Sequence, residues 1–263
     1  MSRVLGICFG QSGLARMSMC AKRWSAIAAT LAIVCWSHSA NASTILIDDF
    51  ITPQSVTATA AAPVATSSAT APEAIGGERD IRLQFLSGST ALTLASNPFG
   101  GELLIHDSGA AVKGTSLTVW DGPDNNANVI NPIGLGGVDL VTGGNNRFEL
   151  DDVFADLVGE IVMTVYDASD ATGNTWSRST LALPGGMFTP TDIEIPFSSF
   201  TTFGINGAAD FTNVGAISML IGNTTTGSLD VQMSSIAVVP EPASCLLGLV
   251  GMGISCLSLR RRS

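Results

Sequence analysis

The middle of the chain alternates apolar and polar residues in a way that is typical of β-strands. Five segments do so most clearly, at 81–85, 117–120, 161–166, 192–197 and 229–234. Because successive side chains of a strand point to opposite sides, this pattern gives each strand one buried face and one solvated face. Shorter apolar runs add further strands at 45–50, 102–106, 148–150 and 214–221.

Glycine-rich turn signals separate these strands. They lie at 76–77, 100–101, 136–137, 143–146 and 184–186. No amphipathic helix pattern interrupts the series, and strands that follow one another across short turns favour antiparallel pairing. We therefore predict an all-β domain of about nine short strands, arranged as an antiparallel β-sandwich or jelly roll.

Residues 53–75 break this pattern. Eighteen of these 23 residues are Ala, Thr, Ser or Pro, and one, Glu73, is charged. A segment with so few large apolar side chains and no periodicity lacks the means to form a core. We therefore predict a flexible surface loop here, after a first strand at 44–50.

The N-terminal segment has the layout of a secretory signal peptide. Two adjacent basic residues precede an apolar stretch of 11 residues, and the segment ends with Ala40-Asn-Ala42. A basic part, a short apolar part and small residues at the cleavage site are the three features of such a peptide. The sequence therefore predicts a signal peptide over 1–42, cleavage before Ser43, and a secreted domain over 43–239.

The C-terminus combines a motif, an apolar run and a basic cluster. In order, these are Pro240, Glu241 and Pro242, an uncharged run over 243–259, and Arg260, Arg261 and Arg262. The prolines interrupt regular structure because each fixes φ and lacks an N–H. As a helix the uncharged run would be about 25 Å long, which is the lower limit for crossing a bilayer. The sequence thus predicts a single transmembrane helix with its basic end in the cytoplasm.

This order of features resembles the PEP-CTERM sorting signal of exported bacterial proteins, over residues 239–263. The resemblance implies that a membrane-embedded exosortase recognises and removes the tail. Insertion of the C-terminal helix into the membrane would then be transient. The resemblance also implies an association with the cell envelope, the cell surface, exopolysaccharide or a biofilm matrix.

The charge of the predicted domain excludes several functions. Residues 43–239 contain five basic and 21 acidic residues, a formal net charge of −16. A surface this acidic repels phosphate backbones, so we expect no nucleic-acid partner. All five cysteines lie outside this segment, which excludes a disulfide framework, a thiolate metal site and a cysteine nucleophile within it.

The same segment has no catalytic signature. It lacks the metalloprotease, nucleophile-elbow, phosphate-loop and dinucleotide motifs. His106 is its only histidine, and a lone histidine more often has a structural or surface role than that of a catalytic base. A catalytic pair of carboxylates, as in glycosidases, stays possible. The 21 acidic residues offer many such pairs, and none stands out. We expect a protein that is not an enzyme and needs no cofactor.

One loop offers oxygen ligands for calcium. Asp121, Asp124, Asn126 and Asn128 form the densest group of such side chains. Hard oxygen ligands in loops suit calcium, but Asp and Asn also favour ordinary turns through bonds to the backbone. The spacing does not complete an EF-hand, so both interpretations stay open.

Three aromatic residues are candidates for stacking on a sugar ring. Trp120 and Tyr166 lie opposite the more apolar faces of their strands, and Trp176 lies in a polar segment. Burial in the core is the alternative for each of them. The sequence at 47–50, with 76–80, resembles the start of galactose-binding-like jelly rolls, which implies carbohydrate contact.

These observations favour a non-enzymatic exported protein of the cell surface or extracellular matrix, sorted through its C-terminal tail. A carbohydrate-binding module for envelope or matrix polysaccharide is the first alternative. A glycan-active hydrolase is the second. Exposed aromatic residues would favour the binding module, and a cleft with two facing carboxylates would favour the hydrolase.

Overall fold

The computed structural model describes residues 43–225 and 227–241. The predicted signal peptide, the C-terminal helix and the arginine cluster lie outside these residues. Within the described part, no helix is long and apolar enough to span a membrane.

The described residues form fifteen β-strands and three single 3₁₀ turns. The strands are β1 (Ile45–Asp48), β2 (Gln54–Ala58), β3 (Val64–Thr70), β4 (Glu78–Ser87), β5 (Leu92–Ser96), β6 (Leu104–Ser108), β7 (Lys113–Trp120), β8 (Asn145–Ala155), β9 (Val158–Asp167), β10 (Trp176–Pro184), β11 (Met187–Pro196), β12 (Thr202–Phe203), β13 (Val214–Asn223), β14 (Asp230–Met233) and β15 (Ser235–Pro240). The 3₁₀ turns are Ile75–Gly77, Thr142–Gly144 and Phe197–Ser199.

The strands form two sheets. The first has eight strands in the order β1-β15-β8-β14-β6-β5-β2, with β11 also paired to β8. The second has seven, in the order β12-β10-β9-β13-β7-β4-β3. Neighbouring strands run antiparallel throughout. The predicted antiparallel β-sandwich of jelly-roll type is confirmed, with more strands than the nine expected.

One hydrophobic core lies between the sheets. Phe148 and Leu150 enter it from the first sheet, and Ile161, Met163 and Val165 enter it from the second. All five side chains are fully buried. The period-two pattern at 161–166 therefore assigned the inward face of β9 correctly.

The predicted flexible loop at 53–75 is wrong. β2 and β3 lie inside this range and pair with β5 and β4. Along β2, Gln54, Val56 and Ala58 are buried and alternate with exposed neighbours. Gln54 Nε2 donates to backbone oxygens, including that of Ser67 at 3.0 Å. Glutamine and alanine at buried positions carry little hydrophobic signal, so the alternation was not visible in the sequence.

The side of β7 that faces the core is the side that carries Trp120. The sequence predicted the opposite, more apolar side. Trp120 is paired with Ile217 of β13, and both belong to the core. Val119, one residue earlier, lies on the other side of the sheet beside Asp80 of β4. Trp120 can be buried because its Nε1 donates a hydrogen bond to Asp48 Oδ2 at 2.8 Å, which satisfies the indole N–H.

Candidate functional site

The side of the second sheet that points away from the core carries a row of side chains in register. Arg178, Thr164, Ser218, Val119 and Asp80 are directly paired across five neighbouring strands. We call this side of the sheet the outer face; Arg178 is half-buried, and the other four side chains of the row are buried. Because strand residues alternate between the two sides of a sheet, the residues two positions away on each strand share it.

An aromatic pair lies next to this row. Trp176 of β10 is paired directly with Tyr166 of β9, and both side chains are half-buried. The guanidinium of Arg178 lies 4.6 Å from the centre of the Trp176 ring, a cation–π distance. Arg178 Nε also donates to Thr164 Oγ1 at 3.1 Å, so the guanidinium is held in place.

The edge of the Trp176 ring packs against backbone. A Cβ atom at Gly204 would lie 2.7 Å from Trp176 Cδ1, which is closer than van der Waals contact allows. Glycine at this position therefore permits the ring to lie as it does. Burial raises the pKa of Tyr166 although Arg178 acts against it, so the phenol keeps its proton at neutral pH and can donate a hydrogen bond.

A pocket lies farther along the outer face. Its volume is about 260 Å³, and it is lined by Asp80, Arg82, Leu117 and Val119 of the sheet and by residues 126–130. Residues 126–130 belong to the long connection between β7 and β8. The Ala127 N–H donates to Ser68 Oγ at 3.1 Å, and the Leu135 N–H donates to the Gly215 carbonyl at 2.9 Å. This connection is thus attached to both halves of the sheet and forms one wall of the pocket.

Two of the three predicted sugar-contact residues come together, and the third does not. Trp176 and Tyr166 share the outer face. Trp120 is fully buried on the other side of the sheet, so the expectation that it is exposed is wrong. Trp120 Nε1 donates a hydrogen bond to the buried carboxylate of Asp48. The 47–50 segment therefore faces the core at this residue and not a ligand site.

The side chains of the predicted calcium loop accept backbone N–H groups of the same connection, as in ordinary turns. Asp121 Oδ2 accepts the Asn131 N–H at 2.6 Å, and Asp124 Oδ1 accepts the Asn126 N–H at 2.8 Å. Asn126 Oδ1 in turn accepts the Asn128 N–H at 3.3 Å. Of the four residues, Asp124 alone belongs to a carboxylate cluster in the described part of the chain, and its partners there are Glu78 and Asp80.

Glu78, Asp80, Arg82 and Arg178 are site residues that sequence reasoning missed. A signal existed for the first three, because residues 78, 80 and 82 are two apart at the start of a predicted strand and share one face. The contact of Asp124 with that face had no signal. It depends on how the connection after β7 folds back over β4.

His106 is a structural residue of the interior. Its side chain is fully buried, with Nδ1 2.8 Å from Ser116 Oγ and Nε2 3.1 Å from Ser108 Oγ. Burial lowers its pKa to about 4, so the ring is neutral at physiological pH. A catalytic triad places an acid on the histidine, whereas both nitrogens here contact hydroxyl groups.

The end of β15 leads directly into the predicted sorting motif. Pro240 is paired with Asn145 of β8, and Asn146 Nδ2 donates to Glu241 Oε1 at 2.6 Å. Residues 238–262 match the model of the PEP-CTERM protein-sorting motif. The chain therefore carries the sorting signal of an exported protein. The match begins inside β15, so no linker separates the sandwich from the motif.

Comparison with curated proteins gives no match. Among solved structures, the chain resembles a family 11 carbohydrate-binding module from Clostridium thermocellum in complex with a beta-1,3-1,4-mixed-linked tetrasaccharide, with 14% identity, a TM-score of 0.38, and coverage of 75% of this chain and 95% of that one. It also resembles TmCBM61 in complex with beta-1,4-galactotriose, with 8% identity, a TM-score of 0.28, and coverage of 72% and 89%. An agarase, AgWH50C, shares 10% identity with a TM-score of 0.38 over 61% of this chain and 23% of that one.

Proposed function

We propose that this chain is a non-enzymatic exported protein of the cell surface or extracellular matrix, and that its outer face binds polysaccharide. The observation that carries the proposal is the Trp176–Tyr166 pair. Its rings are accessible in part, and Arg178 holds the Trp176 ring in place. Sugar rings present C–H faces that pack on aromatic rings, and hydroxyl groups that bind charged and polar side chains.

The extent of the outer face supports a chain-like ligand. The row that begins at Arg178 ends at Asp80, which lines the pocket. Between these ends Thr164, Ser218 and Val119 are buried, so a polysaccharide segment on this side would contact the aromatic pair at one end and the polar pocket with Arg82 at the other. A small metabolite would need only one of these features.

The pocket gives little support to a glycosidase. Asp80 is the one carboxylate among its lining residues, all of which belong to the described part of the chain. Canonical glycosidases place two carboxyl groups on opposite sides of the scissile bond, about 5 to 9.5 Å apart. Glu78 and Asp124 join Asp80 in a cluster within 4.8 Å, which is too tight to hold a sugar between them.

Replacing Trp176 by alanine tests the binding proposal. We expect polysaccharide retention by the full-length protein to weaken by about tenfold or more, because a central aromatic contact contributes well above 1 kcal/mol. Affinity electrophoresis against a panel of matrix and plant-type polysaccharides measures this. Phe99→Ala is the matched control, since Phe99 is 92% exposed in the connection between β5 and β6 of the first sheet. Equal retention by both variants would contradict the proposal.

The tail supports a second part of the proposal, that an exosortase-type membrane enzyme processes the chain. Pro240, Glu241 and Pro242 would be the recognition element and the arginine cluster the cytoplasmic stop. Intact-mass measurement of the protein from its host should show the loss of residues 1–42 and of the C-terminal run. We expect Glu241→Ala to retain the tail, whereas Glu160→Ala, an exposed glutamate of β9, should be processed normally. Normal processing of both variants would count against recognition through Glu241.

A further inference from the structure

The described residues contain three groups of carboxylates whose oxygens approach one another within 4.8 Å. The groups are Asp48, Asp49 and Glu73; Glu78, Asp80 and Asp124; and Glu149, Asp151 and Asp192. Carboxylates at this separation repel one another unless a positive charge lies among them or some of them are protonated. The groups differ in whether the protein itself supplies that positive charge.

Two of the groups have an arginine. In the first, Arg79 Nε lies 2.9 Å from Asp48 Oδ2, and Arg79 Nη2 lies 3.0 Å from Glu73 Oε1. In the third, the charge of Arg147 acts on Glu149. Asp192 of this group is exposed to solvent, which screens the remaining repulsion.

The second group has no positive partner. Arg82 lies two residues along β4 on the same face, but in the described part of the chain it forms no ion pair. Asp80 is only 1% exposed, and its carboxylate oxygens have no hydrogen-bond partner of normal geometry, although the Ser68 hydroxyl lies close enough to act on them. Burying a carboxylate without partners is strongly unfavourable, so Asp80 points to a ligand that the cluster is built to hold.

The other two acids are held toward Asp80 by their surroundings. Glu78 is 2% exposed, and its Oε1 accepts the N–H groups of Asp124 and Asn125 at 3.2 and 2.7 Å. These bonds hold the connection after β7 against β4 and bring the Asp124 carboxylate to the cluster. The ligands therefore come from one strand and one fixed loop, which limits the reorganisation that binding requires.

We propose that Glu78, Asp80 and Asp124 bind a calcium ion. Calcium takes oxygen ligands at about 2.3 to 2.6 Å, so oxygens that share one ion lie within about 5 Å of one another, as these do. Three carboxylates from a strand and a loop suit its irregular coordination better than the octahedral geometry that magnesium demands. The site adjoins the proposed polysaccharide site, because Asp80 also lines the pocket, but its test needs no polysaccharide.

Calorimetric titration of the full-length protein with calcium chloride tests the proposal. We expect one site with a dissociation constant of about 10⁻⁴ to 10⁻³ M, the range of extracellular modules, and a rise of the melting temperature in calcium relative to EDTA. Asp80→Asn and Asp124→Asn should each weaken binding by at least about tenfold. Asp151→Asn, in the third carboxylate group, is the matched control and should bind as the wild type does.

Asp124→Asn keeps the test decisive if Asp80→Asn fails to fold. Asp124 is exposed, so its replacement leaves the core intact. No heat and no thermal shift at 10 mM calcium chloride would overturn the proposal. Binding that survives in Asp124→Asn, or that is lost equally in Asp151→Asn, would overturn it as well. Magnesium chloride that binds more tightly than calcium chloride would overturn the choice of ion.

Discussion

Replacing Asp48 by alanine is expected to lower the free energy of unfolding by about 3–5 kcal/mol, or to prevent folding altogether. Arg79 and Asp48 are both fully buried, and removal of the carboxylate leaves the guanidinium without its nearest counter-charge. The same substitution removes the acceptor of the Trp120 N–H at 2.8 Å and of the Phe50 N–H at 2.9 Å. Three buried donors therefore lose a partner in one step.

Urea unfolding of the full-length protein measures this loss. Asp107→Ala is the matched control, since Asp107 is an exposed aspartate of β6, and it should change the unfolding free energy by less than about 0.5 kcal/mol. Asp48→Asn keeps an acceptor for Trp120 but removes the charge, so its effect should lie between the two. A loss below about 1 kcal/mol for Asp48→Ala would show that the pair is not needed for folding.

His106 is expected to make the domain sensitive to acid. Its pKa is about 4 in the folded protein, against about 6.5 for a histidine exposed to water. Between these two values the unfolded chain binds the proton and the folded chain does not, so the free energy of unfolding falls as the pH falls from about 6.5 to 4. A difference of this size corresponds to about 3 kcal/mol.

Some carboxylates have the opposite effect on the pH dependence of stability. A variant of His106 is therefore needed to isolate the contribution of the histidine. Raised pKa values at Asp80 and Asp121 mean that the folded state holds their protons more strongly, and stability falls as the pH rises through the range between about 4 and 7. His106→Gln keeps a hydrogen-bonding side chain between the two serines but does not titrate. We expect the difference in unfolding free energy between wild type and variant to shrink as the pH falls from 7 to 5. A difference independent of pH would contradict the assignment.

The sequence predicted those parts of the fold in which large apolar residues alternate. β4, β9 and β13 follow this rule, because Leu, Ile, Val and Met dominate their inward positions. It failed at β2, where Gln54 and Ala58 are buried, and at β3, whose small and polar residues are mostly half-buried and pair with β4. It also failed for Trp120, because the indole finds its acceptor on β1, 72 residues away.

The candidate site was predictable only in part, for a related reason. Trp176 and Tyr166 were identifiable as unusual residues in an aromatic-poor chain. Their meeting depends on the register between β9 and β10, and the position of Arg178 depends on it as well. The carboxylate cluster requires the connection after β7 to fold back over β4, and no local pattern at Glu78 or Asp124 indicates that contact.

Two consecutive residues, Asn145 and Asn146, form hydrogen bonds to the two ends of the sandwich. Asn145 Nδ2 donates to the Ser43 carbonyl at 2.9 Å, and Asn146 Nδ2 donates to Glu241. Ser43 and Glu241, the first and last described residues, thus lie at one place on the surface of the sandwich. Segments joined to the domain at these two residues would therefore attach side by side while every described strand stays paired.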